Sequence, residues 1–365
     1  GSGDLPSQCL WLCPRPRPET ATPELPDSDL PPSRIDQMGA NCGSPRGRVA
    51  VITGGASGIG FGVAKKCAEL GMKICIADVN DKRLSNATNA LLRLGAKHVM
   101  AYRCDVSKLL SVWDFKDKVY AEYGEVAFLF NNAGLSAGWS SYGSTKSEWD
   151  LALGVNLNGV INGISAFVPS MIAQGTPCCV INTSSVAGLV GANSFPFTGA
   201  PYVVAKTAVT TLTECLGVEL RERKTQVTAH VLMPGMVKTG IMKNSEEATG
   251  KLGGSRSSLT QYDLKHMKSY KNDFETKGLS VEEMVESMYA RLCRGDFYLI
   301  ITPPYQPEAV FRAIPAVRAE DIVKNRPVNS ISLKPLPKDT RNSFKKNVKE
   351  AAKTAAAAKK LLSKL

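Results

Sequence analysis

The stretch Thr53-Gly54-Gly55-Ala56-Ser57-Gly58-Ile59-Gly60 directly follows the short apolar run Val49–Thr53 and opens the first helical segment of the chain. Glycines at a strand-to-helix turn let the backbone approach a pyrophosphate, whose charge the helix N-terminus stabilises. A Gly-rich turn without a ligand is the alternative for this segment taken alone. The stretch therefore predicts a strand–turn–helix unit suited to a dinucleotide.

The same alternation continues through most of the chain. Short apolar runs alternate with stretches long enough for amphipathic helices, and strands that are apolar on both faces are typical of a parallel sheet covered on two sides. Right-handed crossovers make such an α/β sheet doubly wound, with its ligand site at the carboxyl ends of the strands. The predicted strands are Val49–Thr53, Lys73–Asp78, His98–Cys104, Val126–Asn131, Cys178–Ser184, Gln226–Leu232 and Phe297–Ile301, and examples of the predicted helices are Gly58–Leu70, Lys82–Leu94, Lys108–Tyr123 and Pro201–Arg223.

Asp78 stands at the end of the second predicted strand, about 20 residues beyond the Gly-rich turn. A carboxylate at this point can accept hydrogen bonds from both hydroxyls of an adenosine ribose, and it repels a 2′-phosphate. This favours NAD over NADP, although Lys82 and Arg83 follow closely and weaken the preference. An N-cap role for Asp78 is the alternative.

Tyr202 and Lys206 lie one turn apart on the predicted helix Pro201–Arg223, in the sequence Y-V-V-A-K. A tyrosine ordinarily titrates near about 10, but a fixed cation within a few ångströms favours its charged form. The pair can therefore supply a phenolate base. The alternative for this spacing alone is a half-buried tyrosine beside a solvated lysine.

Four motifs follow one another at successive strand ends of the predicted sheet. They are T-G-x-x-x-G-x-G at Thr53–Gly60, Asn131-Asn132-Ala133-Gly134, Tyr202-x-x-x-Lys206 and Pro234-Gly235. Together they resemble the short-chain dehydrogenase/reductase family, over residues 48 to 301. The resemblance implies a Rossmann-fold oxidoreductase that binds NAD or NADP.

The resemblance also implies catalytic roles. Tyr202 matches the general acid/base, and Lys206 matches the residue that lowers the pKa of this tyrosine and grips the nicotinamide ribose. Ser185 matches the serine that bonds the substrate oxygen, with Ser184 as the next candidate. Asn156 matches an asparagine that holds a water for proton relay; a polar contact inside its helix is the alternative.

For the cofactor, Asp105 resembles an adenine contact, with a helix N-cap as the alternative, and Thr239 resembles a contact to the nicotinamide carboxamide. No metal is expected. The implied cofactor-binding residues are Gly54, Ser57, Gly58, Ile59, Gly60, Asp78, Asp105, Val106, Asn132, Ala133, Gly134, Tyr202, Lys206, Pro234, Gly235, Val237 and Thr239.

One departure from the family concerns Ser185 and Tyr202, which are farther apart here than is usual. The extra residues fall at 193–199, where we expect a loop that bulges and shapes the pocket. Pocket walls are expected from Leu135–Tyr142, which contains Trp139 and Tyr142, from Val186–Phe197 and from a lid at 240–278. Aromatic walls suit a bulky, apolar alcohol or ketone; packing at a subunit interface is the alternative for the same aromatics.

The length of 365 residues and the 43% hydrophobic content allow one large core with material left over at both ends. We expect a disordered Pro-rich extension at 1–45, a Rossmann domain at 46–305, and an irregular, then basic tail at 306–365. Ten cysteines without metal-site or disulfide spacing favour a reducing compartment. No run of about 18 apolar residues and no secretory signal are seen, so a cytoplasmic location is expected.

The formal net charge of +12 is concentrated at the C-terminus, where residues 341–365 contain eight basic residues and one acidic residue, Glu350. Apolar residues recur there every three or four positions, which is the pattern of a basic amphipathic helix. A solvated helix is one interpretation, and contact with an anionic membrane surface or an acidic partner is another. Nucleic acid is the least favoured partner, because no aromatic platform accompanies the charge.

The favoured function is hydride transfer between NAD(H) and a bulky, apolar secondary alcohol or ketone. By resemblance, the protein is expected to be a homodimer or homotetramer through helices around 145–174 and 201–223. Two alternatives stay open at this point. One is a catalytically silent nucleotide-binding scaffold or assembly subunit; the other is a non-redox isomerase or dehydratase that uses the same tyrosine.

Overall fold

The computed structural model describes residues 44–191, 199–250, 252, 261–306 and 308–323. Within them the chain forms a seven-stranded sheet in the order β3-β2-β1-β4-β5-β6-β7, and every neighbouring pair of strands is parallel. The predicted doubly wound parallel sheet is therefore confirmed. Its strands are β1 (Val49–Thr53), β2 (Lys73–Asp78), β3 (Val99–Arg103), β4 (Phe128–Asn131), β5 (Cys178–Thr183), β6 (Val227–Pro234) and β7 (Tyr298–Ile301).

The central strands are buried on both faces, as continuous apolar runs require in a sheet covered on two sides. Every residue of β1, β4 and β5 is buried. The strand order reverses between β1 and β4, because β1 pairs with β2 on one side and with β4 on the other. A crevice forms at such a switch point, outside the carboxyl ends of the strands.

Helices cover both faces of the sheet. One face packs on α1, α2 and α10, with Val63, Leu84 and Met288 in the shared core. The other packs on α3, α5 and α7 through residues such as Phe115 and Phe167, whose rings meet edge to face at 6.0 Å. The helices are α1 (Gly58–Glu69), α2 (Asp81–Arg93), α3 (Leu109–Tyr123), α4 (Lys146–Leu153), α5 (Gly159–Ala173), α6 (Val186–Val190), α7 (Ala200–Glu222), α8 (Ile241–Gly250), α9 (Gln261–Lys277), α10 (Val281–Cys293) and α11 (Glu308–Val323).

Between α4 and α5 the chain makes a π-helical turn, Gly154–Asn158, so that Lys146–Ala173 runs as one long helical stretch. Among the described helices, this stretch alone has the length and apolar composition of a membrane-crossing helix. Its buried residues include Phe167 and Met171, which pack in the sheet core beside α3. A core helix meets the same criteria, so length and composition are weak evidence for membrane insertion here.

The C-terminal boundary differs from the prediction. Residues from 306 onward were expected to be irregular, yet α11 extends from Glu308 to Val323 and buries Phe311 and Ile314 against β6 and β7. The helix was not predicted because Pro315 lies inside it, and proline ordinarily interrupts helices. The predicted N-terminal extension before residue 44, six of the seven residues in the predicted loop at 193–199 and the basic tail at 341–365 lie outside the described residues.

Candidate active site

The Gly-rich turn between β1 and α1 has the backbone shape that a pyrophosphate needs. Gly54 and Gly58 have φ values of +63° and +52°, a region that favours glycine. A Cβ on Gly54 would come within 2.9 Å of the Ala133 Cα. Ser57 is the N-cap of α1 without a side-chain hydrogen bond to the helix, so the first N–H groups of α1 are not capped by it. These residues fit an anionic group of a dinucleotide.

Gly60 was predicted to bind the cofactor, and this stays a prediction. It does not line the cavity at this turn, whereas Gly54, Ser57, Gly58 and Ile59 do. A Cβ on Gly60 would lie 2.3 Å from the Gly54 carbonyl oxygen. A side chain at this position would therefore collide with the turn, which explains the glycine by packing.

The β4 loop is attached to the same turn by Thr53. The Thr53 Oγ1 accepts hydrogen bonds from the backbone N–H groups of Asn132 at 2.9 Å and Ala133 at 3.2 Å. The Asn132 Nδ2 donates to the Thr53 carbonyl oxygen at 3.1 Å. These contacts hold the Asn132-Ala133-Gly134 segment beside Gly54, and all three residues line the cavity.

At the far end of the cavity, Asp78 terminates β2 with its side chain 8% exposed. Its Oδ1 accepts a hydrogen bond from the Asn80 backbone N–H at 3.1 Å. Asn80, rather than Asp78, is the N-cap of α2, because its side chain accepts from the Arg83 backbone N–H. The N-cap alternative for Asp78 is therefore wrong, and the carboxylate faces the cavity.

Asp105 and Val106 line the cavity after β3. The Asp105 Oδ1 accepts from the Ser107 backbone N–H at 3.0 Å and from the Ser107 hydroxyl at 2.7 Å. Lys108, not Asp105, is the N-cap of α3. Asp105 thus shapes the loop before α3 and does not cap this helix.

Tyr202 lies in the first turns of α7 and meets Ser185, the residue before α6, at the cavity wall. Burial raises the pKa of Tyr202 above its ordinary value, and a hydrogen bond between the Tyr202 and Ser185 side chains opposes part of that rise. The Ser185 Oγ also accepts from the Ala187 backbone N–H at 3.1 Å, which caps α6. Despite their unusual separation in the sequence, both residues line the same cavity.

Ser184, the next candidate for the serine role, is engaged elsewhere. Its hydroxyl donates to the Lys206 carbonyl oxygen at 2.7 Å and lies 2.9 Å from the Thr210 Oγ1, both on α7. It is 1% exposed. Ser184 therefore joins β5 to α7, while Ser185 faces Tyr202.

Lys206 is one turn after Tyr202 and is 3% exposed, so the alternative of a solvated lysine is wrong. Its Nζ donates to the Thr183 carbonyl oxygen at 2.7 Å and lies 5.7 Å from the centre of the Tyr202 ring. Burial lowers the pKa of Lys206 to about 7. The lysine is near the phenol as its spacing predicted; its effect on the pKa of Tyr202 stays a prediction.

Asn156 is fully buried in the π-helical turn. Its Oδ1 accepts from the Leu135 backbone N–H at 3.0 Å, and its Nδ2 donates to the Leu135 carbonyl oxygen at 2.8 Å. A Cβ on Gly134 would lie 3.0 Å from the Asn156 Oδ1 and 3.5 Å from the Lys206 Nζ. The side-chain amide thus fixes the β4 loop beside Lys206, and its role in a water relay stays a prediction.

The end of β6 and the segment after it form the remaining wall. Four residues predicted to bind the cofactor line the cavity here: Pro234, Gly235, Val237 and Thr239. The Gly235 backbone N–H donates to the Ile301 carbonyl oxygen at 2.7 Å, which ties this turn to β7. Beyond it, α8 and α9 cover the cavity within the region predicted as a lid.

The cavity has a volume of about 640 Å³ and runs from Asp78 to Tyr202. Two predicted wall residues are absent from its described lining: Tyr142 is 98% exposed and Trp139 does not reach the cavity. The aromatic side chains in the lining, besides Tyr202, are Phe274 on α9 and Tyr305 after β7. The Tyr305 hydroxyl donates to the Met236 Sδ at 3.0 Å. No sequence pattern singled out these two aromatics, because they follow no motif.

The parallel sheet, the glycine turn at its switch point and the paired tyrosine and lysine define a Rossmann-fold oxidoreductase that binds NAD or NADP. The chain belongs to the short-chain dehydrogenase/reductase family, since the family model described as short chain dehydrogenase matches residues 48–250. Members of this family typically form oligomers and act on small molecules.

Individual relatives agree with this assignment. A short chain dehydrogenase/reductase from Burkholderia phymatum, solved in complex with NAD, is 32% identical, with a TM-score of 0.71 covering 79% of this chain and 99% of that chain. The C alpha-dehydrogenase of Sphingobium sp. is 32% identical over 73% of this chain and 85% of its own. The epidermal retinol dehydrogenase 2 of Mus musculus is 32% identical over 54% of this chain and 62% of its own.

Proposed function

We propose that the protein transfers a hydride between NAD(H) and a bulky, apolar secondary alcohol or ketone, with Tyr202 as general acid/base. The observation that carries this proposal is that Tyr202 and Ser185 line the same cavity as Asp78, with the Lys206 Nζ 5.7 Å from the centre of the Tyr202 ring. One cavity thus has a proton-transfer group and the residues for a dinucleotide.

A bound nicotinamide would supply the carbon that accepts or gives the hydride. Loss of a hydride from an alcohol carbon requires the hydroxyl proton to leave, and Tyr202 is positioned to take it. The Ser185 hydroxyl, held by the Ala187 backbone N–H, orients the substrate oxygen and stabilises its developing charge. The Lys206 Nζ lies 5.7 Å from the centre of the phenol ring, where its cation would favour the phenolate, and it would hold the hydroxyls of a bound nicotinamide ribose.

The substrate class is inferred from the walls near Tyr202. Val186, Ala187, Val190 and Met236 line the cavity that contains Tyr202, and Phe274 and Tyr305 add aromatic surface to it. Apolar walls with few polar groups select a large hydrophobic ligand and orient it by its reacting oxygen. The names of relatives, which include a retinol dehydrogenase, support an alcohol of this kind.

The preference for NAD over NADP rests on Asp78. Its carboxylate is 8% exposed and faces the cavity, where it can accept from both ribose hydroxyls. A 2′-phosphate at the same point would meet this buried negative charge. The relative solved with NAD supports the same choice of cofactor.

We also propose a homodimer or homotetramer that forms through α5 and α7. Apolar side chains remain exposed on both helices, with Ile161 at 41% and Val204 at 48%. Covering such side chains with a second copy would remove apolar surface from water. Light scattering of the full chain at several concentrations tests the assembly.

The test of the function uses the full chain, NAD⁺ and a panel of secondary alcohols graded in size, with nicotinamide absorbance as the readout. Tyr202→Phe is expected to lower kcat by about 10²–10⁴ or more, which is the usual contribution of general acid–base catalysis. Calorimetry with NADH is expected to show that the variant still binds nucleotide. Tyr142→Phe is the matched control, because this phenol is 98% exposed and outside the cavity lining.

Each other outcome has a distinct meaning. Turnover of small polar alcohols alone would overturn the substrate class. NADH binding without an absorbance change on any substrate would favour the silent scaffold or the non-redox isomerase or dehydratase. Failure to bind either NADH or NADPH would overturn the proposal as a whole.

A further inference from the structure

Arg83 joins two parts of the site that are far apart in the sequence. Its Nη1 donates to the Asn244 Oδ1 on α8 at 2.9 Å and lies 3.9 Å from the Glu247 Oε2 on the same helix. Its Nη2 lies 3.6 Å from the Asp78 Oδ1 at the end of β2. One guanidinium therefore contacts both the helix over the cavity and the carboxylate at its adenosine end.

The face of α8 that contacts Arg83 is also the face that lines the cavity. Ile241, Asn244 and Ala248 recur at the three- and four-residue spacing of one helix face, and all three line the cavity. The opposite end of the cleft provides a second attachment, where the Ser245 Oγ accepts from the Ser136 backbone N–H at 2.8 Å. Thus α8 crosses from the β4 loop to α2 and is attached on both sides.

The charges make Arg83 the critical contact on the adenosine side. Asp78 and Glu247 approach Arg83 from β2 and from α8, and both are negatively charged. Without the guanidinium these two carboxylates would lose the positive charge that each of them approaches, and their mutual repulsion would disfavour the position of α8. The Arg83 Nε is buried and has no hydrogen-bond partner among the described residues, so this N–H group of the guanidinium is available to a ligand at this end of the cavity.

We propose that Arg83 is a positioning residue that fastens α8 across the bound dinucleotide, so that release of the nucleotide requires the contact between Arg83 and Asn244 to break. The inference rests on the proposed function only in that the bound nucleotide is NAD(H). It assigns a role to the side chain of Arg83 and none to its backbone, whose N–H is held by Asn80. Substitution at this position therefore leaves the cap of α2 intact.

The experiment measures the dissociation rate of NADH from the full chain by stopped-flow fluorescence, with excess NAD⁺ as the displacing ligand. Arg83→Met keeps the aliphatic stem and removes the donors and the charge. Asn244→Ala removes the partner on α8 without touching Asp78. Arg83→Lys keeps the positive charge and loses the planar arrangement of donors in the guanidinium. Lys82→Met, one position away on α2, is the matched control.

A charged hydrogen bond of this kind predicts a dissociation rate about tenfold faster, or more, in Arg83→Met and in Asn244→Ala. The double variant is expected to be no faster than Arg83→Met, because both changes remove the same contact. Arg83→Lys should lie between this variant and wild type, and Lys82→Met should match wild type. If NADH release limits turnover, kcat rises with the dissociation rate.

Two results would overturn the inference. The first is a dissociation rate in Asn244→Ala equal to that of wild type, since α8 would then be held by other contacts. The second is an equal increase of the dissociation rate in Lys82→Met and in Arg83→Met, which would mean that Arg83 acts only through its positive charge and not through its contact with Asn244. Absence of NADH binding by the wild-type chain would overturn the proposed function as well, so the two failures are distinguishable.

Discussion

The Nζ of Lys206 lies 5.7 Å from the centre of the Tyr202 ring and donates its hydrogen bond to the Thr183 carbonyl oxygen at 2.7 Å. The lysine is therefore held at the phenol by a neutral partner and not by a carboxylate. Burial without a counter-charge lowers the pKa of Lys206 to about 7. A buried ammonium without a counter-charge thus lowers the stability of the nucleotide-free protein.

This cost predicts a specific pH dependence. The pKa of Lys206 is lower in the folded chain than its ordinary value of 10.5, so the unfolded chain binds more protons between pH 7 and 10.5. The free energy of unfolding should gain a contribution from Lys206 as pH rises through this window. Lys206→Met removes that contribution, at about 1.4 kcal/mol per pH unit at most.

The measurement is urea denaturation of the nucleotide-free protein at several values between pH 6.5 and 9.5. The free energy of unfolding of Lys206→Met, relative to that of wild type, should be highest at the lowest pH and should decrease as pH rises. Lys97→Met, at an exposed position, is the control and should show a constant difference. A pH-independent difference for Lys206→Met would mean that the ammonium is not destabilised by burial.

Substitutions of the two neighbouring serines should have different effects. Loss of the Ser185 hydroxyl should mainly affect catalysis, and loss of the Ser184 hydroxyl should mainly affect stability. Ser185→Ala is expected to lower kcat by about 10- to 1,000-fold, because it removes the hydroxyl that we propose bonds the reacting oxygen. Ser184→Ala should lower the free energy of unfolding by about 1–3 kcal/mol and affect kcat less, since its hydroxyl is bonded to Lys206 and Thr210 inside the protein. Kinetics and urea denaturation of both variants check this, and the reverse pattern would assign the catalytic role to Ser184.

Asp78→Asn should change which nucleotide is bound. Loss of the carboxylate removes charged hydrogen bonds to the ribose and the repulsion of a 2′-phosphate, so the ratio of NADH to NADPH affinity should fall by about 10- to 100-fold. Calorimetry with both nucleotides measures this ratio. Asp81→Asn is the control, because the Asp81 side chain is 72% exposed and pairs with Arg103 outside the cavity. An unchanged ratio in Asp78→Asn would locate the cofactor preference elsewhere.

Gly60→Ala tests the packing role of a glycine outside the cavity lining. Its Cβ would lie 2.3 Å from the Gly54 carbonyl oxygen and 2.7 Å from the Asn132 Nδ2, so the turn must shift. We expect a loss of about 1–3 kcal/mol in the free energy of unfolding, together with weaker NADH binding. Gly250→Ala on α8 should be neutral or stabilising, because no atom of the described residues beyond the helix's own backbone lies within 4 Å of the added carbon. Thermal unfolding and NADH titration of the two variants test this prediction. If stability and NADH affinity of Gly60→Ala equal those of wild type, the turn accommodates the added carbon without cost.

All seven strands could be predicted from the sequence, with boundaries within two residues of those in the structure. A buried parallel strand has an uninterrupted apolar run, and the helices between strands are long enough to cross over, so both signals are local. The helix α11 was not predicted because it contains Pro315, which obscures its periodicity. In addition, Phe311 and Ile314 are buried only by packing against β6 and β7, which lie far from them in the sequence.

The site itself was predictable where a motif stands at a strand end. Residues such as Gly54, Asp78 and Tyr202 meet in one cavity because the carboxyl ends of parallel strands share one edge of the sheet. Motif membership did not show what each side chain contacts. Gly60 belongs to the glycine pattern, yet it serves packing, and Tyr142 appeared to be a wall residue, yet it is almost fully exposed.

The sequence by itself determined the doubly wound sheet and the motifs at its strand ends, because strand periodicity, turn glycines and the Tyr–Lys spacing are local properties of the chain. Only the tertiary structure decided that Ser185 and not Ser184 faces Tyr202, and that Arg83 reaches Asn244 on α8. Those choices depend on where separate elements pack against one another. Spacing along the chain contains no information about a contact between side chains 161 positions apart.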